Sequence, residues 1–145
     1  MNLDKCVRQS YNGWMTTARM TLTVQGWDEN AYEEREGGGK LTLADVEQAV
    51  TGDLEGSSKA RWTMVYTADD AAEYVGLQTL TGTLGGKQGS FVLRTVGSFD
   101  GKQAVGDLTV VEGSGTGDLA GITGTGSFTA PMGSEAEMSL EYELG

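Results

Sequence analysis

The chain has 145 residues, 23 of them glycine, one proline, one cysteine and no histidine. Its 38% hydrophobic content is enough for a core, and its length suits one domain. Without histidine there is no Ser-His-Asp triad, no His-ligated zinc and no proximal-His haem. The single cysteine, Cys6, excludes an internal disulfide and a thiolate metal cluster. The net charge of -11 opposes phosphate backbones and anionic membranes, so neither nucleic acid nor membrane is expected as a partner. The charge is uneven. Residues 1–26 carry a net +2, from Lys5, Arg8 and Arg19 against Asp4, and the remainder carries -13. No apolar run is long enough for a signal peptide's core or a membrane span. A lone cysteine agrees with a reducing cytoplasm.

In chain order, residues 1–19 read as an N-terminal extension, either disordered or an arm that uses Tyr11 and Trp14 to cover a pocket or a neighbour. Residues 20–30 read as a first strand. Residues 40–50 carry a helix-friendly centre at Asp45–Glu47, but Thr42, Val46, Val50 and Thr51 tip the segment to a strand. Residues 60–68 form a third strand with Trp62, Met64 and Tyr66 on one face. Residues 72–84 form a fourth. A glycine turn at Gly85-Gly86 leads to a fifth over 89–99, where Phe91, Leu93, Thr95 and Phe99 share a side. Asp100-Gly101 fits a type I′ hairpin. A strand over 103–113, a glycine-rich stretch and a short strand over 124–130 follow. The last strand, 135–144, alternates strictly: glutamates and Ser139 on one face, Ala136, Met138, Leu140, Tyr142 and Leu144 on the other.

About eight short strands with tight turns predict an all-β fold, an antiparallel eight-stranded β-barrel over residues 20–145. Glycines inside strands, at Gly76, Gly82, Gly97 and Gly106, suit sharp bending or close backbone approach. Three glycine-rich runs imitate ligand loops. Gly115 to Ala120 spells GxGxxA, but no helix or βαβ unit follows it. Residues 82–87 resemble a phosphate loop with the wrong spacing, and residues 28–40 resemble a calcium loop whose ligand order fails.

The motifs 27-WDE-29, 40-KLTLADV-46, 52-GDLEG-56, 74-YVGLQTLTGTLGGKQGSFVL-93, 109-TVVEGSGTGDLAGITG-124 and 140-LEY-142 occur in order. On these the chain resembles the bacterial domain of unknown function 3224 family from about residue 20 to the end. The resemblance implies a barrel like that of allene oxide cyclase, with lipocalin-like proportions. Fold relatives of that kind include dirigent proteins and polyketide-pathway cyclases, which work without cofactors on apolar substrates held in the lumen. The family pattern carries a His near position 95 and a Glu near 78, where this chain has Thr95 and Gln78. Its lumen is therefore expected to be more neutral.

Inward-facing Trp62, Met64, Tyr66, Phe91, Leu93, Met138 and Tyr142, with Trp27 at the mouth, are the expected substrate-binding residues. They supply flat and adaptable contacts rather than an aliphatic filling. With no histidine, acid–base work falls to carboxylates and tyrosines. Asp28 and Glu29, beside Trp27, are the leading catalytic candidates, because a carboxyl packed on an indole has a raised pKa. Asp53 is the third, with a turn role as its plainer reading. The function expected is cofactor-free dehydration, cyclisation or isomerisation of a polycyclic or polyene, polyketide-like molecule. The alternative is a small-molecule carrier. No metal or cofactor is expected. The expected partner is an apolar small molecule, with self-association left open.

Overall fold

The computed structural model describes residues 15–68 and 70–145, so Cys6, Tyr11 and Trp14 lie outside the described residues. Eight strands follow one another: β1 (Thr16–Glu34), β2 (Lys40–Gly52), β3 (Leu54–Ala68), β4 (Ala71–Leu84), β5 (Lys87–Phe99), β6 (Gln103–Val110), β7 (Ile122–Pro131) and β8 (Ala136–Leu144). Each pairs antiparallel with the next, and β1 pairs with β8, so the sheet closes into an eight-stranded barrel. A single 3-10 turn, Gly117–Leu119, interrupts the β6–β7 connection. No helix among the described residues is long and apolar enough to cross a membrane.

β1 opens at Thr16, upstream of the expected start. Residues 16–19 face Tyr142 to Ser139 of β8 and so belong to the barrel wall. Residues 40–52 are a strand throughout, as β-branched residues at alternate inner positions favour. The Gly85-Gly86 turn has both residues at positive φ, 58° and 82°, the geometry of a type I′ hairpin. The second hairpin differs from expectation in register. Asp100 N–H donates to Gln103 O at 3.3 Å, so Asp100 closes the turn and Gly101 and Lys102 are its centre. Asp100 Oδ1 accepts the N–H groups of both Lys102 and Gln103 at 2.9 Å. The GxGxxA run packs on β5, where Thr116 N–H donates to Ser90 O at 2.8 Å.

Strand alternation fills the two halves of the barrel differently. At the end that carries the β2–β3, β4–β5 and β6–β7 connections, the inner positions are Leu54, Leu84, Phe91, Leu93, Leu108, Ile122 and Leu140. All are essentially inaccessible. This half is a packed core. Toward the other end, inner positions become aromatic, small or polar, and the interior opens.

Gly56 and Gly82 stand opposite each other in the packed half. A Cβ on Gly56 would lie 2.8 Å from Gly82 Cα and collide with Thr81 O. Gly56→Ala is therefore expected to cost about 2 kcal/mol or more and lower Tm by roughly 5 °C or more. Gly26→Ala, whose Cβ meets nothing nearer than Glu47 Cβ at 4.0 Å, should leave Tm within about 2 °C of the parent. Thermal denaturation of both variants checks the contrast.

Candidate functional site

The open half encloses a cavity of about 570 Å3. Its wall is aromatic and apolar: Trp27, Trp62, Tyr66, Tyr74, Phe99 and Phe128, with Leu22, Met64 and Met138. Its mouth is formed by Val24 and Trp27 of β1 and by residues 132–135, the β7–β8 turn.

The hollow depends on cross-strand glycines. Trp62 faces Gly76, Tyr74 faces Gly97 and Phe128 faces Gly106, each as a direct register pair. A Cβ on Gly76 would lie 2.7 Å from Trp62 Cδ1, and one on Gly97 would lie 2.7 Å from Tyr74 Cζ. A Cβ on Gly106 would collide with the Phe128 ring. Each ring thus lies over a glycine on the neighbouring strand, against the wall rather than across the lumen. The rings form a continuous series. Centroid separations are 6.1 Å from Trp27 to Trp62, 5.6 Å to Tyr74 and 6.5 Å to Phe128, all tilted.

A bulge brings Trp27 and Glu29 to the site. Up to Val24, the even residues of β1 face inward. The register then slips between Val24, which faces Gln48, and Gly26, which faces Glu47. The extra residue reverses the faces, so Trp27 stands opposite buried Val46 and Glu29 opposite buried Ala44. Asp28 is turned outward by the same step. It is exposed, and its Oδ1 accepts Asn30 Nδ2 at 3.2 Å.

Glu29 is held by three donors. Tyr66 OH donates to Oε2 at 2.6 Å, Thr42 Oγ1 to Oε2 at 2.7 Å and Trp27 Nε1 to Oε1 at 3.0 Å. Burial pushes its pKa upward, but these hydrogen bonds and the Lys40 charge outweigh burial and hold the carboxyl below its ordinary value. The raised pKa expected from the indole contact is thereby corrected: the indole contributes an N–H donor, which stabilises the anion. Tyr66 is pushed up to about 12, by burial and by donating to Glu29. Burial also raises Tyr74.

Of the expected binding residues, Trp27, Trp62, Met64, Tyr66 and Met138 line the cavity. Phe91, Leu93 and Tyr142 do not. They sit in the packed half, where Tyr142 OH lies 3.3 Å from a Cβ built on Gly85. Asp53 is also at that end and ties strands together. Its Oδ2 accepts Arg19 N–H at 2.8 Å, and its own N–H donates to Arg19 O at 2.9 Å. Tyr74, Phe99, Phe128 and Gln48 line the site without having been singled out. The glycines opposite Tyr74 and Phe128 were the available signal.

A second polar cluster in the lumen wall joins three buried residues. Gln78 Nε2 donates to Ser58 Oγ at 2.7 Å and to Gln48 Oε1 at 3.0 Å. Ser58 Oγ donates to Gln48 Oε1 at 3.2 Å. Two further buried polar atoms, Trp62 Nε1 and Thr95 Oγ1, have no partner among the described residues.

The family model described as "Protein of unknown function (DUF3224)" matches residues 18–142. The chain belongs to the DUF3224 family. A DUF3224 protein of unknown function from Shewanella oneidensis MR-1 has a similar crystal structure, with a TM-score of 0.76 and 28% sequence identity. The match covers 90% of this chain and 98% of that one. No curated protein matches the chain. In this DUF3224 barrel Gln78 and Thr95 are both inward and buried, so the two family positions singled out in the sequence lie in the interior with neutral side chains.

The Glu29 contacts set a pH dependence. Its folded pKa lies below the ordinary carboxyl value of 4.5, so its contribution to stability is complete above that value and is lost as pH falls through the folded pKa. Glu29→Gln should destabilise the DUF3224 barrel at pH 7, and the difference from the parent should shrink as pH drops below 4.5. Denaturant unfolding of both proteins at pH 7 and pH 3 measures it; a difference that grows in acid contradicts the assignment.

Proposed function

We infer that the protein binds a flat, apolar small molecule in its lumen. The observation that carries this reading is the cavity of about 570 Å3, bounded by rings folded back onto glycines. That volume is in the range of small-molecule sites, and the pattern of a mostly apolar wall with a few polar groups is theirs too. A polycyclic or polyene ligand, of the polyketide-like kind expected from the resemblance, suits rings arranged in series. Carriage without chemistry is the reading the geometry favours. Glu29 has its charge satisfied by three donors, and a carboxylate with a lowered pKa is a weak base. A cytoplasmic location belongs to this reading, since a chain with one cysteine needs no oxidising compartment.

Titration with phenanthrene and with retinol, followed by tryptophan emission, tests binding. Saturable quenching is expected, with each probe recovered unchanged. Ala130 lines the cavity, and Ala130→Trp should fill it, weakening both probes at least tenfold without lowering Tm. Equal binding by parent and variant removes the lumen as the site.

One contact supports a second reading, cofactor-free cyclisation, dehydration or isomerisation. Tyr66 lines the cavity and donates to Glu29 at 2.6 Å, so a proton has a path between the lumen wall and a carboxylate. On this reading Tyr66→Phe and Glu29→Gln each cut turnover of a polyene or polycyclic substrate at least a hundredfold while probe affinity stays within about threefold. Retained turnover in both variants removes Tyr66 and Glu29 from the chemistry, and no turnover by the parent protein restricts it to binding.

A further inference from the structure

Gln48 and Gln78 are almost fully buried, at 6% and 2% exposure, yet both line the cavity. Burying an amide is costly unless its donors and acceptors are used. Each side-chain amide has an acceptor oxygen and a two-proton donor nitrogen. The contacts within the cluster use Gln78 Nε2, Gln48 Oε1 and Ser58 Oγ. These contacts leave Gln78 Oε1 and Gln48 Nε2 unused. The cluster therefore offers one acceptor and one donor. Exchanging oxygen and nitrogen in both amides gives the same count, so the conclusion does not depend on their assignment.

We propose that Gln48 and Gln78 recognise a neutral ligand edge that carries a hydrogen-bond donor beside an acceptor, the pattern of a lactam, imide or primary amide on a flat ring system. The inference rests on the lumen-binding reading and specifies the ligand's polar group. Charge narrows the class. No Lys or Arg is among the described residues that line the cavity, Glu135 at the mouth is an anion, and the chain carries -11 overall. A carboxylate entering this lumen gains no cation to offset its desolvation, whereas a lactam exchanges water for two amide partners. The aromatic wall supplies contact area for the rest of the ring system, and the two glutamines fix its orientation.

The test compares three probes of one shape on the full chain: phenanthridin-6-one, its N-methyl derivative and phenanthrene, titrated by calorimetry or tryptophan quenching. The lactam should bind at least tenfold more tightly than the N-methyl derivative, which has lost the donor. Gln48→Leu and Gln78→Leu should each reduce that ratio to about twofold or less while leaving phenanthrene affinity within about threefold. The comparison of probes on the parent protein needs no variant, so a misfolded substitution does not remove the test. Equal affinity for lactam and N-methyl derivative overturns the proposal, as does discrimination that persists unchanged in both leucine variants, which would be steric in origin. If phenanthrene binds but the lactam gains nothing, the glutamine assignment fails and the lumen reading stands. If none of the three binds, both fail.

Discussion

Everything about the interior follows from where the side chains of an eight-stranded barrel go when the ring is too narrow for large ones to meet across it. Eight strands leave room for one filled layer of side chains or one small ligand. This barrel does both, in different halves. In the packed half, leucines, Phe91 and Ile122 project inward and meet. In the open half, Trp62, Tyr74 and Phe128 have glycines directly across the strand pair and lie against them. A ring over a glycine covers backbone that no side chain of that residue shields. It also keeps its bulk out of the centre. The hollow is therefore built by cross-strand pairing, and it needs no loop to create it.

The same pairing explains why the mouth is chemically distinct from the floor. One extra residue in β1 between Val24 and Gly26 exchanges the faces of all that follow until the next irregularity at Ala31. Without it, Asp28 would point inward with Trp27 and Glu29 outside. With it, the indole reaches the lumen and its N–H meets Glu29. The carboxylate is then enclosed by Thr42, Tyr66 and Trp27, a set drawn from three strands that pair in succession. Glu29 thus links β1 to β2 and β3 at the rim, and its anionic form is stabilised by the contacts that place it.

The strand count, the hairpin glycines and the inner faces of β3 and β8 were legible because period-two alternation needs only neighbouring residues. Ala136, Met138 and Leu140 declare their face in the sequence itself. The Trp62, Met64 and Tyr66 face was legible for the same reason. What alternation does not carry is height along the barrel. Phe91 and Leu93 share an inner face with Phe99, yet they fall in the packed half, whereas Phe99 lines the cavity. That assignment depends on strand stagger, which is set by pairings between distant residues. The bulge was hidden for a similar reason: Gln25-Gly26 reads as ordinary strand until its partner on β2 is known. Asp53 shows the limit from another side. A turn aspartate bonding its own backbone was the local reading, and its true acceptor role serves Arg19, 34 residues away and on a neighbouring strand.

Gln48 and Gln78 are where local rule and tertiary environment disagree most. An amide at an inner strand position breaks the alternation of apolar residues that otherwise fixes the register of β2 and β4. Two such breaks, with Ser58 between them, form one connected group. Replacing all three with aliphatics of similar size would spare their desolvation and suit a filled barrel better. The cost of keeping them is understandable if polarity is needed inside. The surrounding wall argues in the same direction, since flat rings and thioethers grip a ligand without orienting it. Orientation requires directional contacts, and the buried amides are able to supply them.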